Sequence, residues 1–206
     1  MLKLWGRLNS INVQKAVLAL EELGLAYERA DAGLQFGINR TPEYLAMNPN
    51  GLVPTLDDDG FVLWESNAIV RYLCASHSAG ALWPEDVRIR ADADRWMDWQ
   101  TATLSSAMGP GFMGLVRMAP DKRDADAINA SLAKTTKLVA MLDAHLAGRD
   151  YVAGAAYGMA DIVLAPIMHR WFNMPCARAA APNAERWYAT LMQRAACIRV
   201  LTLPLT

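Results

Sequence analysis

The sequence predicts a mixed α/β domain followed by an all-helical one, and three observations carry that reading. Within the first 80 residues, short apolar runs of strand length alternate with helical patterns. The stretch Ser78-Ala79-Gly80-Ala81-Leu82-Trp83-Pro84 then breaks the pattern. Beyond it no strand is convincing, and apolar residues recur at helical spacing. The expected domains are residues 1–80 and 86–206.

The elements follow in order. Leu2 to Trp5 is a short apolar strand, and after the polar loop from Gly6 to Asn12 a helical pattern places Val13, Val17, Leu20 and Leu23 on one face. Gly24 ends it as a C-cap residue would. A second strand around residues 26–29 is followed by a loop and a short helix, announced by Thr41 as N-cap and Pro42 at the first helical position. Asn50-Gly51 is a turn signal, Pro54 pushes Val53 to an extended conformation, and Asp57-Asp58-Asp59-Gly60 joins two short apolar runs as a hairpin should. Glu65-Ser66-Asn67 then opens a helix carrying Ile69, Val70 and Leu73 on one face. The order βαβ, then αββα, matches a thioredoxin-like mixed sheet with helices on its faces.

In the second half, residues 87–117 read as one long helical stretch with Gly109-Pro110-Gly111 as a kink or break. Residues 125–146 form an amphipathic helix whose buried stripe is expected at Ile128, Leu132, Leu138, Met141, Leu142 and Leu146. Further helices are expected at 160–173 and 183–193. Ahead of the first of these, Asp161 can reach back to the backbone of an N-cap at Gly158, and Tyr157 with Ile162 forms a hydrophobic staple. Glycine supplies no capping side chain, at a cost of only a few tenths of a kcal/mol.

Composition excludes several classes. With 53% hydrophobic residues over 206 positions the chain can bury a sizeable core. A formal net charge of -1 leaves no electrostatic footprint for nucleic acid or an anionic membrane surface. No apolar run is long enough to span a bilayer, and the N-terminal stretch turns polar too soon for a signal peptide, so the cytoplasm is expected. Cys74, Cys176 and Cys197 show neither C-x-x-C nor zinc spacing, so no disulfide framework and no metal site is expected.

A proline removes a ladder donor, so Pro54 belongs where the sheet stops pairing, which leaves the backbone of Val53 free for an extended peptide. Ser66, at a helix start, offers a hydroxyl and unpaired N–H groups beside the positive end of the helix dipole, an arrangement that suits a carboxylate. Together they describe a site for a small anionic peptide. Taken singly, Pro54 also reads as a turn residue and Ser66 as a plain N-cap.

The motif Asn48-Pro49-Asn50-Gly51-Leu52-Val53-Pro54-Thr55-Leu56, followed by Glu65-Ser66-Asn67-Ala68-Ile69-Val70-Arg71-Tyr72-Leu73, resembles the glutathione-binding half of the cytosolic glutathione S-transferase family, in its bacterial branch with a serine/asparagine-type loop. The resemblance extends over essentially the whole chain and implies the fold of that family. It implies that Val53, before a cis Pro54, pairs with the cysteinyl part of glutathione, and that Glu65 and Ser66 hold the γ-glutamyl end. It also implies a homodimer. Asn39 aligns by spacing with a family position at the glycyl end, where Arg40 could serve the carboxylate; a solvated loop is the other reading of both.

Such a transferase must turn the thiol of glutathione into a thiolate. Lowering a thiol pKa by about two units takes roughly 2.7 kcal/mol, within reach of one or two aimed donors and a helix N-terminus. The loop Arg7-Leu8-Asn9-Ser10-Ile11-Asn12 lies between the first strand and the first helix, where donors would point at the sulfur. Ser10 is the first choice, as a hydroxyl donor and not a base, and Asn12 the second; both residues also suit a simple turn and cap. The loop holds no cysteine, which argues against thiol-disulfide exchange chemistry. The acceptor, a small hydrophobic electrophile, is expected against Met108, Phe112, Met113 and Arg117. Two alternatives remain: a glutathione-dependent isomerase, dehalogenase or peroxidase, and a glutathione-binding interaction module without catalysis.

Overall fold

In the computed structural model, which describes residues 1–206, a four-stranded sheet is followed by a run of helices. The strands β1 (Leu2–Trp5), β2 (Tyr27–Ala30), β3 (Thr55–Asp58) and β4 (Phe61–Trp64) lie in the order β2-β1-β3-β4. β1 runs parallel to β2 through the crossover helix α1 (Ile11–Glu22), and antiparallel to β3 with Leu4 opposite Leu56. β3 and β4 form the hairpin read from Asp57-Asp58-Asp59-Gly60, where the Asp57 carboxylate accepts the Gly60 N–H at 2.7 Å. The helix α2 (Pro42–Met47) starts as its sequence dictates, with Thr41 Oγ1 accepting from the Tyr44 N–H at 3.3 Å. The helix α3 (Ser66–His77) follows β4 directly and buries Ile69, Val70 and Leu73.

α1 departs from the one-sided pattern: every residue from Val13 to Leu20 is buried, Gln14 and Lys15 included. It is enclosed because α7 (Met159–Asn173) and α9 (Ala195–Leu201) pack on the face that the sheet and α3 leave open. One contiguous core therefore joins Leu4, Val17 and Leu56 of the first half with Met97, Leu164 and Trp171 of the second. Polar ties reinforce the junction. Arg194 grips Glu22 with two hydrogen bonds of 2.8 and 2.6 Å, and Arg71 reaches Asp94 and Asp98, both at 2.7 Å.

The stretch from Val87 to Arg117 is one rod: α4 (Val87–Trp99), a π turn (Gln100–Leu104), α5 (Ser105–Phe112) and a second π turn (Met113–Arg117). Of the kink or break expected at Gly109-Pro110-Gly111, the break does not occur, since α5 runs through Pro110. Instead, the hydroxyl of Ser131, on α6 (Ala125–His145), accepts from the Gly111 N–H at 2.9 Å and donates to the Ala107 carbonyl at 2.5 Å, bridging groups that a regular α turn would join directly. A Cβ on Gly111 would lie 2.9 Å from that hydroxyl, so the glycine is what admits it. The close approach also relocates the buried stripe of α6. It runs through Ile128, Ser131, Thr135, Val139 and Leu142, while Met141 is exposed and Leu132 and Leu138 are half-buried.

α7 starts at the capping arrangement read from the sequence. The Gly158 N–H donates to Asp161 Oδ2 at 3.0 Å, and the other carboxylate oxygen takes the Val152 N–H at 3.0 Å and Trp187 Nε1, from α8 (Pro182–Leu191), at 2.8 Å. Asp161 is fully buried, and its burial pushes the pKa up to about 6 against those three donors. No helix is long and apolar enough to cross a membrane.

Candidate functional site

The sheet stops pairing at Thr55, opposite Trp64. The preceding residue is Pro54, joined to Val53 by a cis peptide bond. Neither the N–H nor the carbonyl of Val53 has a hydrogen-bond partner in the protein. This open backbone is held rigidly from behind. The Tyr44 hydroxyl donates to the Leu52 carbonyl at 2.6 Å, and the Asn48 amide donates to the same carbonyl at 2.9 Å and to Thr55 Oγ1 at 3.1 Å. Tyr44 and Asn48 are both buried, so these bonds are shielded from water.

Facing Val53 is the start of α3. The first helical bond runs from the Ile69 N–H to the Glu65 carbonyl at 2.9 Å, which leaves the N–H groups of Ser66, Asn67 and Ala68 at the helix mouth. Glu65 sits at φ +70°, an uncommon backbone region for a side chain of its size, and its carboxylate is exposed. Ser66 is buried; its hydroxyl donates to Asn12 Oδ1 at 3.4 Å. Beneath it, Lys15 Nζ donates to Ser66 Oγ at 3.5 Å and to Asn67 Oδ1 at 3.2 Å. Burial lowers the Lys15 pKa to about 7, while Glu65 pulls it upward. Asn67 continues the chain of contacts into the helical half, donating to the Met97 carbonyl at 2.8 Å and to Thr101 Oγ1 at 3.1 Å.

A cleft of about 100 Å³ results, into which Asn12, Val53, Pro54, Glu65 and Ser66 all open, with Asn48, Asn50 and Leu52 on its rim. Two residues singled out in the sequence stand apart. Ser10 is the N-cap of α1, its backbone N–H donating to the Arg7 carbonyl at 3.2 Å and its hydroxyl free of any partner. Asn39 is engaged with the chain itself, its amide donating to the Gly51 carbonyl at 2.7 Å and bracing the turn beneath the cleft. Arg40 lies against the same turn, since a Cβ on Gly51 would come 3.0 Å from its Nη1.

Lys15, Tyr44 and Asn48 are absent from the sequence-derived set of site residues. The signal for Lys15 is a cation inside an otherwise apolar helical run, but only the packing of α3 against α1, with Ser66 and Asn67 over the amine, shows it to be a buried one. Of the expected acceptor wall, Met108 and Phe112 are buried, Met113 is exposed and Arg117 is half-buried over the Phe112 ring at 5.1 Å. No cluster of three His, Cys, Asp or Glu side chains is arranged to hold a metal ion.

These features can be set beside known proteins. Residues 1–75 match the glutathione S-transferase N-terminal domain, and residues 103–195 the glutathione S-transferase C-terminal domain. The chain is 48% identical to the glutathione S-transferase GstB of Escherichia coli (strain K12) over 208 aligned positions, covering 100% of both. It is 30% identical to a probable glutathione S-transferase of Oryza sativa subsp. japonica, over 98% of this chain and 96% of that protein. Among solved structures, the theta class glutathione S-transferase of Xanthomonas axonopodis pv. citri with glutathione bound is similar at a TM-score of 0.96 and 45% identity, over 100% of this chain and 99% of that one. The sheet order, the cis Val53–Pro54 bond facing the Glu65-Ser66 helix mouth, and these likenesses agree: the chain belongs to the glutathione S-transferase family.

Proposed function

We propose that the cleft binds glutathione and that the protein transfers its thiolate to a small hydrophobic electrophile. The observation that carries this reading is the unpaired backbone of Val53, turned toward the mouth of α3. An extended peptide can pair its own N–H and C=O with Val53 as an added strand would. A γ-glutamyl carboxylate at the helix start would meet the Ser66 hydroxyl, the free N–H groups of the first turn and the buried Lys15 amine, while Glu65 would take the ammonium. Asn39 and Arg40 would serve the glycyl end, through the turn they brace.

The chemistry follows from where the cysteinyl sulfur would lie, near the loop ahead of α1. Ser10 has a hydroxyl with no competing partner and would donate to the thiolate. Asn12 supplies a second amide from the first turn of α1, already oriented by Ser66. The thiol proton leaves to solvent, the thiolate attacks an electrophilic carbon, a C–S bond forms, and the leaving group departs with its electron pair. Holding both reactants at the junction of residues 1–80 and 86–206 contributes through proximity. The protein would act as a cytoplasmic homodimer; exposed Leu52, Phe61 and Trp64 offer apolar surface to a second copy.

Calorimetric titration with glutathione, followed by a conjugation assay on wild type and Ser10→Ala, tests the reading. Binding with conjugation that Ser10→Ala impairs is the expected result. Binding without conjugation of any electrophile would favour the interaction module, and absence of binding would end the proposal.

A further inference from the structure

Three arginines converge beside the cleft with no Asp or Glu side chain set against them. Arg7 leaves the loop after β1, Arg117 the last turn of the long rod, and Arg170 the end of α7. The last two both lie over the Phe112 ring, the guanidinium carbon of Arg170 at 3.5 Å and that of Arg117 at 5.1 Å from its centroid. Arg7 approaches from the other half of the chain. A Cβ placed on Gly33 would lie 2.9 Å from Arg7 Nη1 and 3.5 Å from Val53 Cγ2, so this guanidinium adjoins the residue that opens the glutathione cleft.

None of the three enters an ion pair, although Arg29, Arg71, Arg95, Arg186, Arg194 and Arg199 all do. Arg7 and Arg170 each keep a buried Nε without a partner. Arg117 donates to the main-chain oxygen of Thr206 at 2.9 Å and to Met113 Sδ at 3.7 Å, and to no Asp or Glu side chain. Burial and mutual repulsion lower the pKa of Arg7, and that of Arg170 to about 9, and burial does the same for Arg117. Half-buried like charges with no acidic side chain beside them oppose folding. Their cost is offset when a ligand brings the missing charge.

We propose that Arg7, Arg117 and Arg170 form an anion subsite beside the cleft, and that the electrophile this enzyme conjugates carries a carboxylate or similar anionic group. The proposal deepens the functional reading above and rests on the neighbouring cleft being the glutathione site. The arginines hold the anion and take no part in bond making. The glutathione thiolate forms the C–S bond and the leaving group departs with its electron pair.

The test pairs 4-chloro-3,5-dinitrobenzoate with its methyl ester, both losing chloride to glutathione. For each, kcat/KM is divided by the uncatalysed rate constant in the same buffer. The wild type is expected to favour the acid by about tenfold or more, as a charge-assisted contact worth about 1.4 kcal/mol predicts. The ratio should fall toward one in Arg117→Gln and in Arg7→Gln, and at raised ionic strength. A wild-type enzyme that handles acid and ester alike overturns the proposal, as does a preference that both variants keep. Glutathione titrations on the same samples separate the failures. Absence of heat in the wild type defeats the reading of the cleft, whereas heat without charge preference defeats only the arginine subsite. If the trio instead serves a carboxylate of glutathione, Arg117→Gln weakens that titration and leaves the acid-to-ester ratio intact, which also overturns the assignment.

Discussion

The amine of Lys15 ends 3.2 Å from Asn67 Oδ1, wholly inside the protein and directly under the mouth of α3. Because burial depresses its pKa from 10.5 to about 7, the folded state holds fewer protons than the unfolded state between those values, and stability should rise with pH across that window. From pH 7 to pH 8.5 the gain should be about 1.5 kcal/mol. Above that range Cys74 and Cys197, whose burial raises their thiol pKa to about 12, oppose the trend. Denaturant midpoints at the two pH values measure the gain, and Lys15→Met should abolish the slope.

Removal of the Ser10 hydroxyl should raise the pKa of the bound glutathione thiol by roughly one to two units, each worth about 1.4 kcal/mol. In Ser10→Ala, kcat/KM should drop on the order of 10- to 100-fold at pH 6.5 and much less at pH 9, where solvent deprotonates the thiol unaided. Thiolate absorbance in the binary complex, titrated against pH, reads the shift directly. An equal loss at both pH values would point away from thiolate stabilisation.

Ser131→Ala removes the hydroxyl that bridges Gly111 and Ala107, leaving a buried donor and acceptor short of their partner. A loss of about 1–3 kcal/mol is expected by urea denaturation. Gly111→Ala brings a Cβ within 2.9 Å of the same hydroxyl and should destabilise by a similar amount.

Asp161→Ala would strip the Val152 N–H, the Gly158 N–H and Trp187 Nε1 of their shared acceptor. All lie in or beside the buried core, so a loss of about 3–5 kcal/mol and a clear drop in melting temperature are expected. Asp161→Asn keeps one carbonyl acceptor and should cost less.

What could be read from the sequence was local. Gly24, Thr41-Pro42, the Asp57 to Gly60 turn and the Gly158 to Asp161 cap each fix a boundary through neighbours a few residues away, and the structure has those boundaries to within a residue or so. The same holds for the cleft, since Val53-Pro54 and Glu65-Ser66 act through their own backbone and the helix they open. What could not be read depends on distant partners. Gly109-Pro110-Gly111 looks like a stop until Ser131, twenty residues on, repairs the ladder. Lys15 looks solvated until Ser66 and Asn67 of α3 close over it, and Arg170 meets Arg7 and Phe112 only after the chain has closed on itself.

The total enclosure of α1 carries a consequence for anyone who would dissect the molecule. Ser10, Asn12 and Lys15 ride on a rod whose outer wall is built by the last third of the chain, pinned there by the Glu22–Arg194 clamp. Severed after the sheet, the front piece would present Val13 through Leu20 to water along an uncovered flank, a sticky fragment lacking the scaffold that sets its own pocket. Swapping back pieces between relatives would accordingly retune the front pocket as well, because the two are cast against one another.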